Sequence, residues 1–397
     1  MATTAAVAVA TAGMIGGAMG AVADEQEVDP QLVVYVEVNS NDLANVADYT
    51  LEDTGKAAVD MAMIFAANIN YDGEKAYLHF NERVTETLED AENQIRPVQA
   101  KGTKVLLSVL GNHQGAGFAN FTSYEAADAF AAQLADAVTT YGLDGIDFDD
   151  EWTNYGANGT PQPNAQSFGW LATALRDRLG PDKIISLYAI GPSYTTTDFT
   201  LFDAAGTIDY AWNPYYPTYD APTVAGLEDR ARLGAAAIDL SQTSAATAAD
   251  FARRTVQDGY GIYVAYNLTG TDQSAYLSGI TEPLKGSATV YKAPAEPDTT
   301  RPTVELASPA SNRPQSELNV SLSVQDDRGV ATVVANVYQH GVLVTSTQTD
   351  AGGAAQAVHT ATVALPDGHY VLRYNAHDTS GNVSKTKTQP FTIESTP

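Results

Sequence analysis

The chain of 397 residues contains no cysteine. Disulfide frameworks, thiolate nucleophiles and cysteine-ligated metal sites are therefore excluded. Positive charge is also scarce, because 21 Lys and Arg residues stand against 48 Asp and Glu residues, giving a formal net charge of -27. That charge repels nucleic-acid backbones and anionic lipid, so we expect neither as a partner. A neutral substrate such as a sugar is compatible with it, but the charge identifies no substrate.

Long apolar runs are missing as well, and we expect no membrane insertion. Residues 1–23 are rich in Ala, Gly, Val and Met, with no charge before Asp24, and Ala-Val-Ala at 21–23 fits a small-residue cleavage site. We interpret this segment as a signal peptide, although Lys and Arg are absent from its start. A disordered N-terminus is the alternative. The mature protein is predicted to be secreted, extracellular and monomeric.

Between residues 24 and 293, short apolar runs alternate with amphipathic helical segments. Apolar residues recur at helical spacing over 82–101, and a second such helix ends before Gly142. Eight strands with helical spacers predict a (β/α)₈ TIM barrel of the α/β class. The eight strand candidates are residues 32–38, 61–67, 104–110, 143–148, 184–189, 208–212, 235–240 and 261–266. The later helices are weak enough that loops could replace some of them.

The pattern changes after a Pro-rich linker at 294–302. Residues 303–397 contain short alternating strands separated by turn residues, which predicts an all-β sandwich. The strand candidates are residues 318–324, 331–338, 342–347, 358–363, 370–377 and 385–393. The tail resembles the immunoglobulin-like modules attached to secreted bacterial enzymes. Two roles are open to it, a carbohydrate-binding module and a spacer.

The segment LDGIDFDDEW contains the residues most informative about chemistry. On a strand, Asp147, Asp149 and Glu151 share one face, with Ile146 and Phe148 on the other. In a barrel, the apolar pair would pack against the helices and the carboxylates would point inward, with Glu151 nearest the carboxyl-terminal rim. Like charges at close range raise one another's pKa, so the row would hold a proton at neutral pH, as a general acid must.

This acidic segment has two simpler interpretations, a solvated turn and a calcium-binding loop. A solvated turn is disfavoured because the acidic residues alternate with Ile and Phe. A calcium loop of the EF-hand type requires Gly at the sixth position, where Trp152 stands when counting starts at Asp147. We therefore expect no metal ion and no cofactor.

The spacing of Asp144, Asp147, Asp149 and Glu151 resembles the DxxDxDxE strand of family 18 glycoside hydrolases, with every position matched. Further segments resemble the bacterial endo-β-N-acetylglucosaminidases of that family. These segments are IFAANINY at 64–71, KVLLSVLGNHQGAGF at 104–118 and DYAWNPYY at 209–216. The resemblance extends over about residues 32–291 and does not include the tail.

The resemblance implies a retaining, substrate-assisted hydrolysis. Glu151 would protonate the leaving oxygen, and the 2-acetamido group of the substrate would act as the nucleophile. Asp149 would hydrogen-bond the acetamido N–H, and Asp147 would tune Asp149 through a shared proton. Tyr215 would contact the acetamido group, with Asn213 supporting it.

The remaining substrate-binding candidates are mainly aromatic residues, whose faces can stack on a pyranose ring; core packing is the alternative for each. These candidates are Trp152, Trp212, Phe118 and Tyr266, together with Asn112 beside His113 and with Asp144. Two positions depart from the family pattern. Ala189 stands where Asn is expected, and Trp152 stands where Tyr is expected.

The implied substrate is the β-1,4 bond between the two core N-acetylglucosamines of N-linked glycans on glycoproteins, and the resemblance implies glycans of the high-mannose or hybrid type. A chitinase acting on linear N-acetylglucosamine polymers is the rival enzyme. A non-catalytic lectin of the same fold is the rival binding protein, although the retained Glu151 speaks against it.

Overall fold

The computed structural model describes residues 29–293, 298–309 and 314–394. The predicted signal peptide lies outside the described residues. The chain divides into two compact units, Met1–Ala293 and Pro294–Pro397. None of the helices in the described ranges is both long enough and apolar enough to cross a membrane.

The first unit is a closed barrel of eight parallel strands. These strands are β1 (Gln31–Glu37), β2 (Met61–Tyr71), β3 (Lys104–Gly111), β4 (Gly145–Asp149), β5 (Ile184–Tyr188), β6 (Tyr210–Trp212), β7 (Leu233–Asp239) and β8 (Ile262–Tyr266). Each strand pairs with the next in sequence, and β1 pairs with both β2 and β8, which closes the ring. The predicted TIM barrel is confirmed.

Helices cover the outside of the barrel unevenly. The α-helices are Glu82–Glu89, Ala91–Gln94, Arg96–Ala100, Tyr124–Tyr141, Ser167–Leu179, Gly191–Thr195, Ala204–Thr207, Ala245–Asp258 and Ser274–Lys285. The 3₁₀ turns are Leu43–Asp48, Ala157–Gly159, Phe199–Leu201 and Arg230–Arg232. Within residues 29–293, no α-helix connects β1 to β2 or β6 to β7. Short strands fill in at the edges: Tyr49–Leu51 pairs with Thr289–Tyr291, Ala76–His79 with β2, and Thr218–Tyr219 with β7.

The prediction of one continuous helix over 82–101 is wrong. Three short helices occupy this stretch, and the last of them has Pro97 in its first turn. Proline lacks the N–H for an intrahelical bond and clashes with the carbonyl four residues earlier, so the helix has to restart there. The following helix, Tyr124–Tyr141, ends as predicted at Gly142, which adopts the left-handed conformation at φ 64.

Side chains of the strands alternate between two apolar clusters. Ile146 and Phe148 belong to the larger cluster, which also contains the helix residues Phe130 and Leu134. A second, smaller cluster includes Tyr35, Met63, Leu106, Tyr188 and Trp212, contributed by five different strands. This alternation places the odd-numbered residues of β4 on the inner face of the barrel.

The second unit is all-β. Its strands are β9 (Thr303–Ser308), β10 (Leu318–Gln339), β11 (Val342–Val363), β12 (Gly368–Asp378) and β13 (Lys387–Ile393), paired antiparallel in the order β9-β10-β12-β13 with β11 also on β10. Four of the six strands predicted for the tail are not separate, because β10 and β11 each contain two of them. The register of β10 shifts between Gln325 and Val330, where the turn residues had suggested a break.

Candidate active site

Two aspartates of β4 lie inside the barrel and are almost inaccessible to solvent. Asp147 is 0% exposed and Asp149 is 1% exposed. Glu151 follows two residues after the strand ends and is half-buried. The three carboxylates therefore run from the interior of the barrel towards the carboxyl ends of its strands, where active sites of this fold lie.

Asp147 is held by three hydroxyl donors. Its Oδ2 accepts hydrogen bonds from Tyr35 (2.8 Å) and Ser108 (2.9 Å), and its Oδ1 accepts one from Ser186 (2.7 Å). Burial raises the pKa of Asp147 to about 6, and the three hydrogen bonds limit the rise. Both oxygens are already engaged by neutral donors, so this carboxylate is poorly placed to bind a cation.

Asp149 has a free oxygen in a buried position. Its Oδ1 is inaccessible to solvent and has no hydrogen-bond partner among the described residues. Burial, followed by the negative charges of Glu151 and Asp147, raises the pKa of Asp149 well above its usual range. No hydrogen bond in the described part of the chain joins Asp147 to Asp149, so the predicted shared proton stays a prediction. A buried orphan acceptor is costly unless a ligand satisfies it.

Glu151 and its neighbour Asp150 have different environments. Burial raises the pKa of Glu151, which favours the protonated form required of a general acid. Asp150 is buried and accepts hydrogen bonds from the Tyr155 hydroxyl (2.6 Å) and the Ser193 amide (2.6 Å). Asp150 therefore fixes the loops that follow β4 and β5. The sequence predicted no role for Asp150. Its even number, which would place it on the face of the strand opposite Asp147 and Asp149, was the feature that could have indicated a structural role.

Of the two consecutive tyrosines after β6, Tyr215 is the residue expected from the sequence, whereas Tyr216 is the one whose pKa responds to the charges of Asp149 and Glu151. The Tyr215 side chain is 57% exposed. Tyr216 hydrogen-bonds the Tyr188 hydroxyl, and burial raises its pKa, with further increases from the charges of Asp149 and Glu151. Both tyrosines follow β6, and Tyr216 is only partly exposed. Spacing alone could not decide between two consecutive tyrosines.

Hydrogen bonds link several aromatic and acidic side chains inside the barrel. The indole N–H of Trp212 donates to the Tyr35 hydroxyl (3.0 Å), which in turn donates to Asp147. The Tyr188 hydroxyl donates to the Pro214 carbonyl (3.0 Å) in the loop that carries Tyr216. Tyr35 and Tyr188 were missed by the sequence analysis because apolar strands contain tyrosines that only pack.

The predicted sugar platforms separate into two groups. Trp152 is 60% exposed, and Tyr266 stacks on Tyr216 with ring centroids 5.6 Å apart. Trp212 and Phe118 are fully buried, and Phe118 packs edge-on against Phe148. A stacking platform must expose a ring face, so a platform role does not fit Trp212 or Phe118. Phe118 belongs to the core between strands and helices.

The polar candidates also differ in position. The Asn213 amide donates to the Ala235 carbonyl (2.9 Å) and the Thr218 hydroxyl (2.8 Å), and its Oδ1 accepts from the Tyr215 amide (3.1 Å). It shapes its loop and has little capacity left for a ligand. Asn112 donates to Asn70 (2.8 Å) and is partly exposed.

Asp144 does not lie with the other carboxylates. It precedes β4 and accepts hydrogen bonds from the Val105 amide (2.9 Å), from Gln99 (2.8 Å) and from Lys104 (3.3 Å) at the start of β3. This is the amino-terminal end of the barrel, opposite the site. A substrate contact does not fit this position, since Asp144 lies before the first residue of β4 and Asp147 lies inside the barrel. Residues at this end of a TIM barrel contribute to stability rather than to catalysis.

Glu37 at the end of β1 was also missed. Its Oε2 accepts a hydrogen bond from the Tyr266 hydroxyl (3.5 Å), and its Oε1 accepts one from the Asn39 side chain (2.6 Å). A carboxylate at the carboxyl end of a barrel strand is a recognisable signal for a position at the mouth of the site.

A closed barrel with this acidic strand defines the class of protein, a glycoside hydrolase. The model of glycosyl hydrolases family 18 matches residues 31–271, and the chain belongs to this family. It is 54% identical over 262 residues to an endo-beta-N-acetylglucosaminidase of Flavobacterium sp. (strain SK1022), covering 66% of this chain and 82% of that protein. It is 32% identical over 276 residues to endo-beta-N-acetylglucosaminidase F1 of Elizabethkingia meningoseptica, covering 68% of this chain and 80% of that protein.

Solved structures with the same fold include Bacteroides thetaiotamicron EndoBT-3987, with its Man5GlcNAc product and with a Man9GlcNAc2Asn substrate. Each comparison gives a TM-score of 0.59 and 27% sequence identity over 67% of this chain. The matches cover 63% and 68% of the EndoBT-3987 chains, so this chain spans less than two thirds of the first of them.

Proposed function

We propose that this protein is an endo-β-N-acetylglucosaminidase. It hydrolyses the β-1,4 bond between the two core N-acetylglucosamines of N-linked glycans and leaves one sugar on the glycoprotein. The observation that carries the proposal is the buried, unpartnered Oδ1 of Asp149, two residues before the half-buried Glu151. An acceptor for an amide N–H next to a carboxylic acid is what acetamido participation needs.

In the proposed mechanism the enzyme supplies no nucleophile. Glu151 gives its proton to the glycosidic oxygen while the acetamido oxygen of the substrate attacks the anomeric carbon, breaking the glycosidic bond and forming an oxazolinium ion. Asp149 accepts a hydrogen bond from the acetamido N–H and offsets the positive charge that develops on the oxazolinium ion. The ionised Glu151 then takes a proton from water, which opens the oxazolinium ring with overall retention.

The proposed role of Tyr216 is to hydrogen-bond the acetamido group. Its hydroxyl is already hydrogen-bonded to that of Tyr188, so the ring is held in one orientation. Tyr266 stacks on it and closes one side of the mouth. The proposed role of Asp147 is to tune Asp149 through a shared proton. A thiazoline mimic of the oxazolinium ion should therefore inhibit, and lack of inhibition would contradict acetamido participation.

For the substrate, we propose high-mannose or hybrid glycans. The support comes from the relatives named endo-beta-N-acetylglucosaminidase and from the Man9GlcNAc2Asn complex of EndoBT-3987. The test incubates the protein with a high-mannose glycoprotein and, in parallel, with chitin oligomers, using Glu151→Gln as the control. A faster-migrating band with one N-acetylglucosamine left per site is expected.

The other outcomes of that experiment identify the rivals. Cleavage of chitin oligomers with an unchanged glycoprotein would indicate a chitinase. Glycan binding without cleavage of either substrate would indicate a lectin.

We propose further that the protein is secreted as a monomer and that its tail is an immunoglobulin-like accessory module. The antiparallel pairing of β9 to β13 and the resemblance of the tail sequence support the module. N-terminal sequencing of the protein recovered from culture medium tests cleavage near Asp24. Light scattering tests the monomer, and a glycan-array comparison with a tail deletion distinguishes a carbohydrate-binding module from a spacer.

A further inference from the structure

The second unit contains a cluster of three carboxylates that the proposed hydrolysis does not use. Asp298, Asp326 and Asp327 each place an oxygen within 4.8 Å of the others. Two ligands on opposite sides of a calcium ion are separated by about 4.8 Å, since each Ca–O bond is about 2.4 Å. From the sequence, no metal ion is expected.

Asp326 provides an independent reason to expect a ligand. The residue is only 8% exposed, and its Oδ1 accepts hydrogen bonds from the amides of Arg328 and Gly329, both at 2.9 Å. Its Oδ2 is buried and has no hydrogen-bond partner among the described residues. An ionised oxygen withdrawn from water without a partner is strongly destabilising, so a counter-ion at this point is expected.

Asp298 repeats the same pattern. Its Oδ1 accepts a hydrogen bond from the Thr300 amide (2.9 Å), whereas its Oδ2 is buried and unpartnered in the described part of the chain. Asp327 is exposed, and its Oδ2 is contacted only at the limit of hydrogen bonding by the Thr300 hydroxyl (3.5 Å). Two free buried oxygens thus belong to the same cluster as one accessible carboxylate.

This cluster has no salt-bridge partner in the part of the chain that the structure describes. The salt bridges found among the described residues include none of its three members. The neighbouring carboxylate of Asp378 is occupied differently, because it accepts hydrogen bonds from the Ser380 and Asn382 amides and from the Asn382 side chain, all at 2.8 Å. The oxygens of Asp378 thus have donors, whereas the Oδ2 atoms of Asp298 and Asp326 have none among the described residues.

We propose that Asp298, Asp326 and Asp327 form a calcium site in the second unit. Calcium accepts an irregular all-oxygen shell of six to eight ligands, which three carboxylates, backbone carbonyls and water can supply. Magnesium demands a near-ideal octahedron and loses water reluctantly, so it fits an open cluster less well. The absence of cysteine, and of any histidine from the cluster, disfavours zinc.

The three carboxylates come from two parts of the second unit, and hydrogen bonds connect both of these parts to a third. Asp298 lies at the beginning of the unit, and Asp326 and Asp327 lie at the register shift of β10. The Asn382 side chain donates to the Asp298 carbonyl (2.8 Å), and the Thr379 amide donates to the Gly329 carbonyl (2.9 Å). Calcium would therefore stabilise the region of the second unit that contains its first described residues.

The test is a titration of the EDTA-treated, full-length protein with CaCl₂ in about 0.15 M NaCl, which screens diffuse binding to a chain of high net charge. Isothermal titration calorimetry should show one saturable site with a Kd of about 10⁻⁵ to 10⁻³ M. Calorimetric melting should show a transition that rises by about 5 °C or more at calcium about tenfold above the Kd. MgCl₂ should give a clearly smaller rise.

Two variants and a matched control identify the site. Asp326→Asn keeps the acceptor for the Arg328 and Gly329 amides but removes the charge, and should weaken calcium binding at least about 10-fold. Asp327→Asn changes an exposed side chain and should weaken calcium binding without unfolding the protein. Glu305→Gln removes an equal charge from an exposed position on β9 and should bind like the wild type.

Three results would overturn the proposal. The first is a wild type with no saturable heat, and the second is calcium binding by both Asp variants that equals that of Glu305→Gln. The third is an equal stabilisation by magnesium, which would reject the assignment to calcium. None of these results bears on the hydrolysis, which is measured on glycoprotein substrate.

Discussion

The Tyr35 hydroxyl donates a 2.8 Å hydrogen bond to Oδ2 of Asp147, deep inside the barrel. The same hydroxyl accepts a hydrogen bond from the Trp212 indole (3.0 Å). Tyr35 is thus a positioning residue, which acts on the site through Asp147. Because its hydrogen bond lowers the pKa of Asp147, its loss should move that pKa further upward.

We therefore expect Tyr35→Phe to reduce kcat about 10-fold with a smaller effect on KM, and to shift the pH dependence of kcat. Leaving two buried groups without this partner should also cost about 1–3 kcal/mol of unfolding free energy. Tyr263→Phe is the matched control, because it removes a buried hydroxyl from β8 that donates to the Ala248 carbonyl (2.9 Å). Equal kinetic losses in the two variants would show that Tyr35 is merely structural.

Glu151→Gln should abolish turnover while glycan binding and the melting temperature are retained. The amide keeps the shape of the side chain but has no acidic proton, so we expect a loss of at least about 10²–10⁴-fold in kcat. Single-turnover cleavage of a high-mannose glycopeptide measures this, with the exposed Glu89→Gln as control. Near-normal turnover would remove Glu151 from the acid role.

Tyr216→Phe and Tyr215→Phe form a direct comparison of adjacent residues. Tyr216 is only partly exposed, and burial and the charges of Asp149 and Glu151 raise its pKa, so loss of its hydroxyl should lower kcat/KM about 10-fold or more. Tyr215 is 57% exposed and should tolerate the same change with less than about a 2-fold effect. The reverse order of effects would restore the assignment made from sequence.

Asp147 should make stability depend on pH. Its pKa is about 6 in the folded state, against 3.8 as the ordinary value. The folded state then binds more protons than the unfolded state between these values, so stability falls as pH rises through this window. The cost from Asp147 is absent below pH 3.8 and complete above about pH 6, at roughly 3 kcal/mol.

Asp147→Asn removes this cost. The melting temperature of the variant relative to the wild type should therefore increase from about pH 4 to about pH 7. Asp250→Asn, on the surface of the helix Ala245–Asp258, serves as the control and should show no comparable trend. A constant difference across the range would contradict a raised pKa at Asp147.

Trp152 and Phe118 should respond in opposite ways to truncation. Trp152 is 60% exposed, so Trp152→Ala should raise KM for glycan several-fold and leave the melting temperature unchanged. Phe118 is 0% exposed against Phe148, and Phe118→Ala should cost about 3–5 kcal/mol of stability through the cavity it leaves. Denaturant unfolding and glycopeptide kinetics separate the two effects. A stable Phe118→Ala variant with weakened glycan binding would revive the platform role.

The strands of the barrel were predictable because their signal is local. Each of the eight apolar runs lies within a few residues of its observed strand, and the alternation in β4 is enough to place Asp147 opposite Phe148. The helix over 82–101 failed because hydrophobic spacing ignores the effect of Pro97 on the backbone. In the tail, turn residues that indicate breaks instead occupy a register shift within β10.

The sequence by itself determined the barrel, the two-unit order and the acidic strand, because hydrophobic periodicity and residue type act between neighbours along the chain. Only the tertiary structure decided which aromatic rings are buried, that Tyr216 and not its neighbour hydrogen-bonds Tyr188, and that Asp144 lies at the opposite end. Those properties depend on contacts between residues far apart in sequence. Burial, which shifts the carboxylate pKa values, exists only once those contacts have formed.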